Sequence, residues 1–200
     1  MIKQHGKLIQ EGEMFDRQAA GIKLRFIELE DTDNIVKWRN KSFVKKNLYS
    51  QENLTPDQHI NYYNSRIKTG KVKQFIILAF DGTEYQAIGT TFLKNIDGDS
   101  SKAEFGIFIG NEKAMGKGYG SQATLLTVDY AFRELELNRV YLTVLADNYS
   151  AIKAYQKCGF EIEGVLKQDY RRSGTYIDVI VMGLLKDDWK GLDMLWDRSK

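Results

Sequence analysis

Met115-Gly116-Lys117-Gly118-Tyr119-Gly120 follows the apolar run Glu104 to Ile109 and precedes an amphipathic helical pattern. Glycines at such a turn remove the Cβ atoms that would hold a ligand away from the backbone. The first turn of a helix adds free N–H groups and a positive dipole end. A strand, a glycine-rich turn and a helix start therefore make a cradle for a diphosphate. Spacing separates the signatures that could produce it. A nucleoside-triphosphatase loop needs Gly-Lys followed by Ser or Thr, and here Gly118 follows Lys117. A dinucleotide fingerprint needs Gly-x-Gly-x-x-Gly, and Ser121 stands where its third glycine belongs.

A second segment lies downstream: Asp147-Asn148-Tyr149-Ser150-Ala151-Ile152-Lys153-Ala154-Tyr155-Gln156-Lys157-Cys158-Gly159-Phe160. Together the two segments resemble the GNAT superfamily of N-acetyltransferases. In that family the acetyl-CoA loop runs Gln/Arg-x-x-Gly-x-Gly/Ala, which lays Met115, Gly118 and Gly120 on its defining positions. The family's second motif reads Asn-x-x-Ala-Ile-x-x-Tyr-x-x-x-Gly-Phe, and every fixed position is filled here. The resemblance runs from about Ile22 to Trp189.

The resemblance implies an α/β (α+β), single-domain fold. Its mixed central sheet of about seven strands is flanked by helices and splayed between the strands ending near Ile109 and Leu145. It implies acetyl-CoA as co-substrate and no metal. The pantothenyl arm would complete the open edge of the Glu104–Ile109 strand, with Ile107, Phe108 and Ile109 offering backbone groups. The pyrophosphate would lie over Met115, Gly116, Lys117, Gly118, Tyr119, Gly120 and Ser121, with Asn148 and Ala151 beside the carrier. Methionine at 115 departs from the family, since it supplies neither the charge of arginine nor the amide of glutamine.

Amine acetylation needs an uncharged amine, a stabilised oxyanion and a proton for the departing thiolate. An alkylammonium with a pKa near ~10 holds little free amine at neutral pH, so a carboxylate acting directly or through water assists. Glu104, a charge at the start of an apolar strand, is the candidate base; an ordinary solvent-facing glutamate fits the same position. Asn148 and Tyr155 are nearly two helical turns apart, on one side of a helix and about 10 Å from each other. The resembled enzymes use the matching tyrosine as general acid, so Tyr155 is the candidate acid, while Asn148 also suits a helix cap. A backbone N–H near Phe108 would meet the oxyanion.

The branch of the family resembled includes ribosomal-protein, spermidine and nucleotide-sugar amine acetyltransferases. Trp38 and Arg39 on the first helix resemble members that act on amino sugars attached to nucleotides, where tryptophan stacks and arginine holds phosphate; a buried tryptophan anchoring a solvated basic helix fits the same residues. Tyr170 and Arg171, with Arg172, are expected to border the acceptor mouth. A polyamine would want converging carboxylates, and Glu28, Glu30, Asp31 and Asp33 form an acidic stretch. Amino sugar, polyamine and peptide N-terminus all stay open as acceptors.

The elements that must position these groups follow from periodicity. Ile22, Leu24, Phe26 and Leu29 begin a strand pattern, then Asp31 and Thr32 cap a helix bearing Ile35, Val36 and Trp38. Thr55-Pro56-Asp57 starts another helix that stops at Gly70. Strands over 72–80, 87–93 and 102–109 are joined by Asp81-Gly82 and Asp97-Gly98 turns. A long helix from Gly118 to Glu136 buries Leu125, Val128, Phe132 and Leu135 and sets Gln122, Asp129, Arg133 and Glu136 on another face. The strand over 140–145 then runs parallel to the one ending at Ile109, because a helix joins them. A short helix from Asn148 to Gly159 and strands over 160–167 and 175–185 complete the set.

Composition agrees with one soluble enzyme domain. The chain has 200 residues, 42% of them hydrophobic, one proline and one cysteine. No apolar run nears the ~20 residues of a membrane span, and no signal-peptide core follows the start, so a cytoplasmic location is expected. A net charge of +2 demands neither nucleic acid nor membrane as partner. The partner is a small-molecule amine or a peptide N-terminus, and a homodimer is open. His5, His59 and Cys158 lie in separate segments, which argues against a metal site or a cysteine nucleophile. Residues 1–20 read as an N-terminal extension, 21–190 as the catalytic domain and 191–200 as a tail. A non-catalytic acetyl-CoA sensor and an assembly protein of the same fold are the alternatives.

Overall fold

The structure, a computed structural model, describes the backbone of residues 2–4 and 7–9, and residues 21–192. In the segment expected to be an extension, β1 (Ile2–Gln4) and β2 (Lys7–Ile9) pair as a separate antiparallel ribbon. The rest of the extension, and all of the tail beyond residue 192, lie outside the described residues.

The main sheet has seven strands: β3 (Ile22–Phe26), β4 (Lys73–Phe80), β5 (Tyr85–Asp97), β6 (Lys102–Ile109), β7 (Arg139–Leu145), β8 (Glu161–Arg172) and β9 (Thr175–Leu185). Their order is β3-β4-β5-β6-β7-β9-β8. Only β6 and β7 pair in parallel, as the helix crossover between them requires. That pairing consists of Lys102–Arg139, Ala103–Val140 and Glu104–Tyr141, after which the strands part. Meanwhile β6 stays paired with β5 as far as Ile109, and β7 with β9 as far as Leu145. The expected splay is therefore present, and it begins just beyond Glu104.

Helices cover both faces. On one lie α4 (Tyr119–Arg133) and α5 (Tyr149–Lys157), over a large core that includes Phe75, Ile77, Leu93, Leu126 and Leu142. On the other, α1 (Thr32–Arg39), the single turn α2 (Ser42–Lys45) and α3 (Pro56–Tyr62) enclose a smaller core built on Ile27, Ile35, Trp38 and Ile76. The helix start expected at Thr55 is present, and Thr55 caps α3 in a reciprocal box with Gln58. The helix continues through a π turn, Tyr63–Ile67, and stops at Gly70.

Three expectations need correction. Leu29 leaves the first strand pattern and opens a 3-10 turn. Asp31 does not cap α1; its carboxylate takes both Nη atoms of Arg25, at 2.7 and 2.6 Å, and the Glu28 N–H at 2.9 Å. The Thr32 hydroxyl donates to the Leu29 carbonyl, so its oxygen is left to accept from His59 Nδ1 at 2.9 Å, pinning α3 to α1. Finally, α4 ends at Arg133 and has no polar face over its middle: Gln122 is buried and Asp129 is as buried as Leu126, with Asp129 bonded to Arg133 at 2.9 Å. The sheet, α5 and the β3 side all enclose this helix, so burial overrides its alternation. No helix among the described residues is long and apolar enough to cross a membrane.

Gly110, just past β6, lets α1 sit close: a methyl there would stand 2.1 Å from Trp38 Cγ. Gly110→Ala is expected to lower stability by about 2 kcal/mol through this overpacking, read as a fall in the urea midpoint.

Candidate active site

A cavity of about 730 Å³ opens where β6 and β7 part. Alternation along β6 sends Phe105, Ile107 and Ile109 toward α4 and α5, and Glu104, Gly106 and Phe108 toward α1 and α3. The gap is thus a passage between the two faces of the sheet. Ile107, Phe108 and Ile109 line it, and their backbone lacks a β7 partner there. A gap edged by such backbone groups suits an extended ligand that carries amides.

The glycine turn lies at the α4 end of this passage. Gly116 and Gly118 have φ of +73° and +80°, a left-handed turn that non-glycine residues adopt only under strain. Gly118 is the N-cap of α4 and brings no capping side chain, and the first turn holds no acidic residue. The N–H groups of Tyr119, Gly120 and Ser121 are therefore left for an anion. Met115, Gly116, Gly118, Tyr119, Gly120 and Ser121 all line the cleft, whereas the exposed Lys117 does not.

Tyr155, Asn148 and Ala151 line the same side. The Asn148 side chain caps α5, accepting from Ala151 N at 3.4 Å. The Tyr155 ring stands edge-on to Phe105 at 6.1 Å and beside Phe160 at 6.0 Å. Burial, with smaller contributions from Cys158 and Tyr49, pushes its phenol pKa above the ordinary value. The group stays protonated well above neutral pH, as a proton donor needs. Cys158 is buried beneath the turn, donates to the Ser121 carbonyl at 3.5 Å, and has its thiol pKa pushed up to about 12 by burial. It packs, and stays a thiol.

On the other face, Glu104 is the one carboxylate among the described residues lining the cleft. Lys94 Nζ holds one oxygen at 3.0 Å and Asn95 Nδ2 the other at 2.8 Å. Phe92 lies over Gly106, where a Cβ would meet its ring at 2.2 Å. Arg39 lines the cleft too. Its Nη2 donates to the Ser50 carbonyl at 3.0 Å, while Nη1 is buried with no partner among the described residues. Burial lowers its pKa.

Other sequence-derived assignments are redistributed. Trp38 is 5% exposed and sits in the smaller core, not on the cleft wall. Consecutive helix residues point about 100° apart, so burying Trp38 turns Arg39 outward. Tyr170 and Arg171 do not line the cleft either. Instead the Tyr170 hydroxyl donates to the Tyr49 carbonyl at 2.7 Å, and its ring meets Tyr49 edge-on at 5.4 Å. Arg172 donates to the Lys46 carbonyl at 2.6 Å and pairs with Asp147. Arg171 lies over the Tyr176 ring. A bulge in β8 between Leu166 and Tyr170 aims these side chains, and Asp178 holds it by accepting from Gln168 N at 2.9 Å.

Sequence reasoning missed the loop they hold. Tyr49, with Phe43 and Leu48, lines the cleft, and its hydroxyl meets Thr143 of β7. No periodic signal marks residues 46–54, and only the tertiary contacts bring them here. The acidic stretch misses the cleft: Glu28, Glu30 and Asp33 are exposed, and Asp31 is taken by Arg25.

Residues 22–161 match the family described as an acetyltransferase (GNAT) domain. The chain is 30% identical to the uncharacterised N-acetyltransferase p20 of Bacillus licheniformis over 177 residues, 85% of this chain and 96% of that one. It is 29% identical to the spermidine N(1)-acetyltransferase of Escherichia coli K12 over 171 residues, 86% and 89% of the two chains. Among solved structures, spermidine N-acetyltransferase from Vibrio cholerae in complex with CoA and spermine superposes with a TM-score of 0.78 at 27% identity, covering 84% of this chain and 98% of that one.

Gly118→Ala is expected to strain the turn by about 1–2 kcal/mol and to weaken coenzyme A binding roughly tenfold by calorimetry. Undiminished affinity would mean that the cradle lies elsewhere.

Proposed function

This chain belongs to the GNAT acetyltransferase family and is an N-acetyltransferase; we propose that it passes acetyl from acetyl-CoA directly to a primary amine held in the same cleft, with residues 21–190 as the catalytic domain. The observation that carries this reading is the gap beyond Glu104, open from both faces of the sheet. The thioester carrier enters along Ile107–Ile109 with its diphosphate on the uncapped start of α4, and the amine approaches from the α1 side. Acetyl-CoA supplies an activated acyl carbon and a thiolate leaving group.

The side chains divide the proton work. As the amine nitrogen bonds to the acyl carbon, charge gathers on the carbonyl oxygen, and a backbone N–H of the unpaired β6 edge near Phe108 meets it. Tyr155 then donates its phenolic proton to the departing sulfur. Glu104 is the carboxylate that lines the cleft on the amine side. Held by Lys94 and Asn95, it takes the amine proton through water. Within this reading the acceptor is an amino sugar, a polyamine or a peptide N-terminus, and the enzyme works in the cytoplasm.

Tyr155→Phe is expected to lower kcat by about 100-fold or more while the KM for acetyl-CoA moves little, in steady-state assays of thiol release. Because the Tyr155 pKa is raised, the wild-type rate should show no decline from this group below the ordinary phenol value of ~10. Glu104→Gln should move the rising limb of the rate profile to higher pH; an unmoved limb would remove Glu104 as base.

A further inference from the structure

We infer that the amine acceptor carries an oxyanion, a carboxylate or a phosphate, and that Arg39 on the α1 side of the cleft is the residue that receives it. The inference rests on the acetyl-transfer reading above and narrows its acceptor class.

Arginine keeps its charge at every physiological pH, so a guanidinium taken from water needs an anion or a full set of acceptors. Arg39 has neither. Nη2 is fixed by the Ser50 carbonyl at 3.0 Å, which sets the plane of the fork, and Nη1 is buried without a partner among the described residues. Burial lowers the pKa of this group, with no neighbouring carboxylate opposing the shift. Four other arginines each have a carboxylate partner: Arg25 with Asp31, Arg133 with Asp129, Arg139 with Glu163 and Arg172 with Asp147.

The charge of the wall points the same way. Among the described residues, Arg39, Lys94, Lys153 and Lys157 line the cleft against a single carboxylate, Glu104. Lys153 and Lys157 belong to α5, on the carrier's side, and Lys94 is already paired with Glu104. Among the described residues that line the cleft, Arg39 is the cation on the acceptor's side without a carboxylate partner. A polyamine would meet there one carboxylate with both oxygens engaged and one unmatched guanidinium, an arrangement that repels it. An amine with an oxyanion gives Arg39 the planar, two-bond partner that its fork fits.

The test pairs acceptors that differ only in the anion: glucosamine 6-phosphate with glucosamine, and L-amino acids with their amides, with spermidine as the cationic control. The full-length chain should favour the anionic member of at least one pair by tenfold or more in kcat/KM. Which pair responds distinguishes phosphate from carboxylate. Arg39→Gln should cut kcat/KM for that member on the order of 100-fold, mainly through the acceptor KM, and shrink the ratio within the pair. Arg39→Lys, which keeps charge without the fork, should fall between and guards against misfolding of the first variant. Spermidine outpacing every anionic acceptor, or a pair ratio untouched in both variants, would overturn the inference. If no amine is acetylated, the transfer reading fails by itself and calorimetry of the same pairs decides: tighter binding of an anionic member, lost in Arg39→Gln, supports the oxyanion site, and equal or absent binding overturns it.

Discussion

Two adjacent strands of this sheet are each committed to a different neighbour. β6 follows β5 to its end and β7 follows β9, so the parallel pairing between them lasts only from Lys102 to Glu104 on β6. Beyond it, each strand presents backbone donors and acceptors to a gap that no described strand fills. Strands twist, and a short parallel ladder between two strongly held antiparallel partners is the weakest seam along which the sheet can open. Everything else in the site is arranged around that seam.

The seam joins two environments that the rest of the fold keeps apart. On the α4 side the walls are apolar and fixed, because α4 is buried around nearly its whole middle and cannot shift its N-terminus without disturbing the main core. An anion cradle set on such a helix needs little reorganisation when charge arrives, which is what makes oriented N–H groups effective. On the α1 side the wall is built from a short turn and an irregular loop, and it carries the polar groups Arg39, Tyr49 and Glu104. One face is suited to holding a constant carrier and the other to selecting a variable partner.

The constant half was legible in the sequence and the variable half mostly was not. Gly118, Asn148 and Thr55 announce their helix starts through local chemistry, and the apolar runs located β4, β6 and β7 to within a residue, while β5 extends beyond its apolar run at both ends. The residues proposed to hold the acyl carrier come from two contiguous segments, so their spacing survives in the linear chain. Of the two readings open for Trp38, burial in the core is the one the structure bears out, because neighbours on a helix face different ways. Gln122 and Asp129 were placed on a polar face that packing does not leave exposed. Tyr49 reaches the cleft only through contacts with β7 and β8, which no local pattern encodes.

The loop over 46–50 is held at its carbonyl oxygens: Arg172 grips that of Lys46, Tyr170 that of Tyr49 and Arg39 that of Ser50. Main-chain oxygens are the same whatever residue bears them. A lip anchored this way can exchange its side chains without losing its path, so new ligand preferences are open to single substitutions there, and the scaffold need not be rebuilt for each.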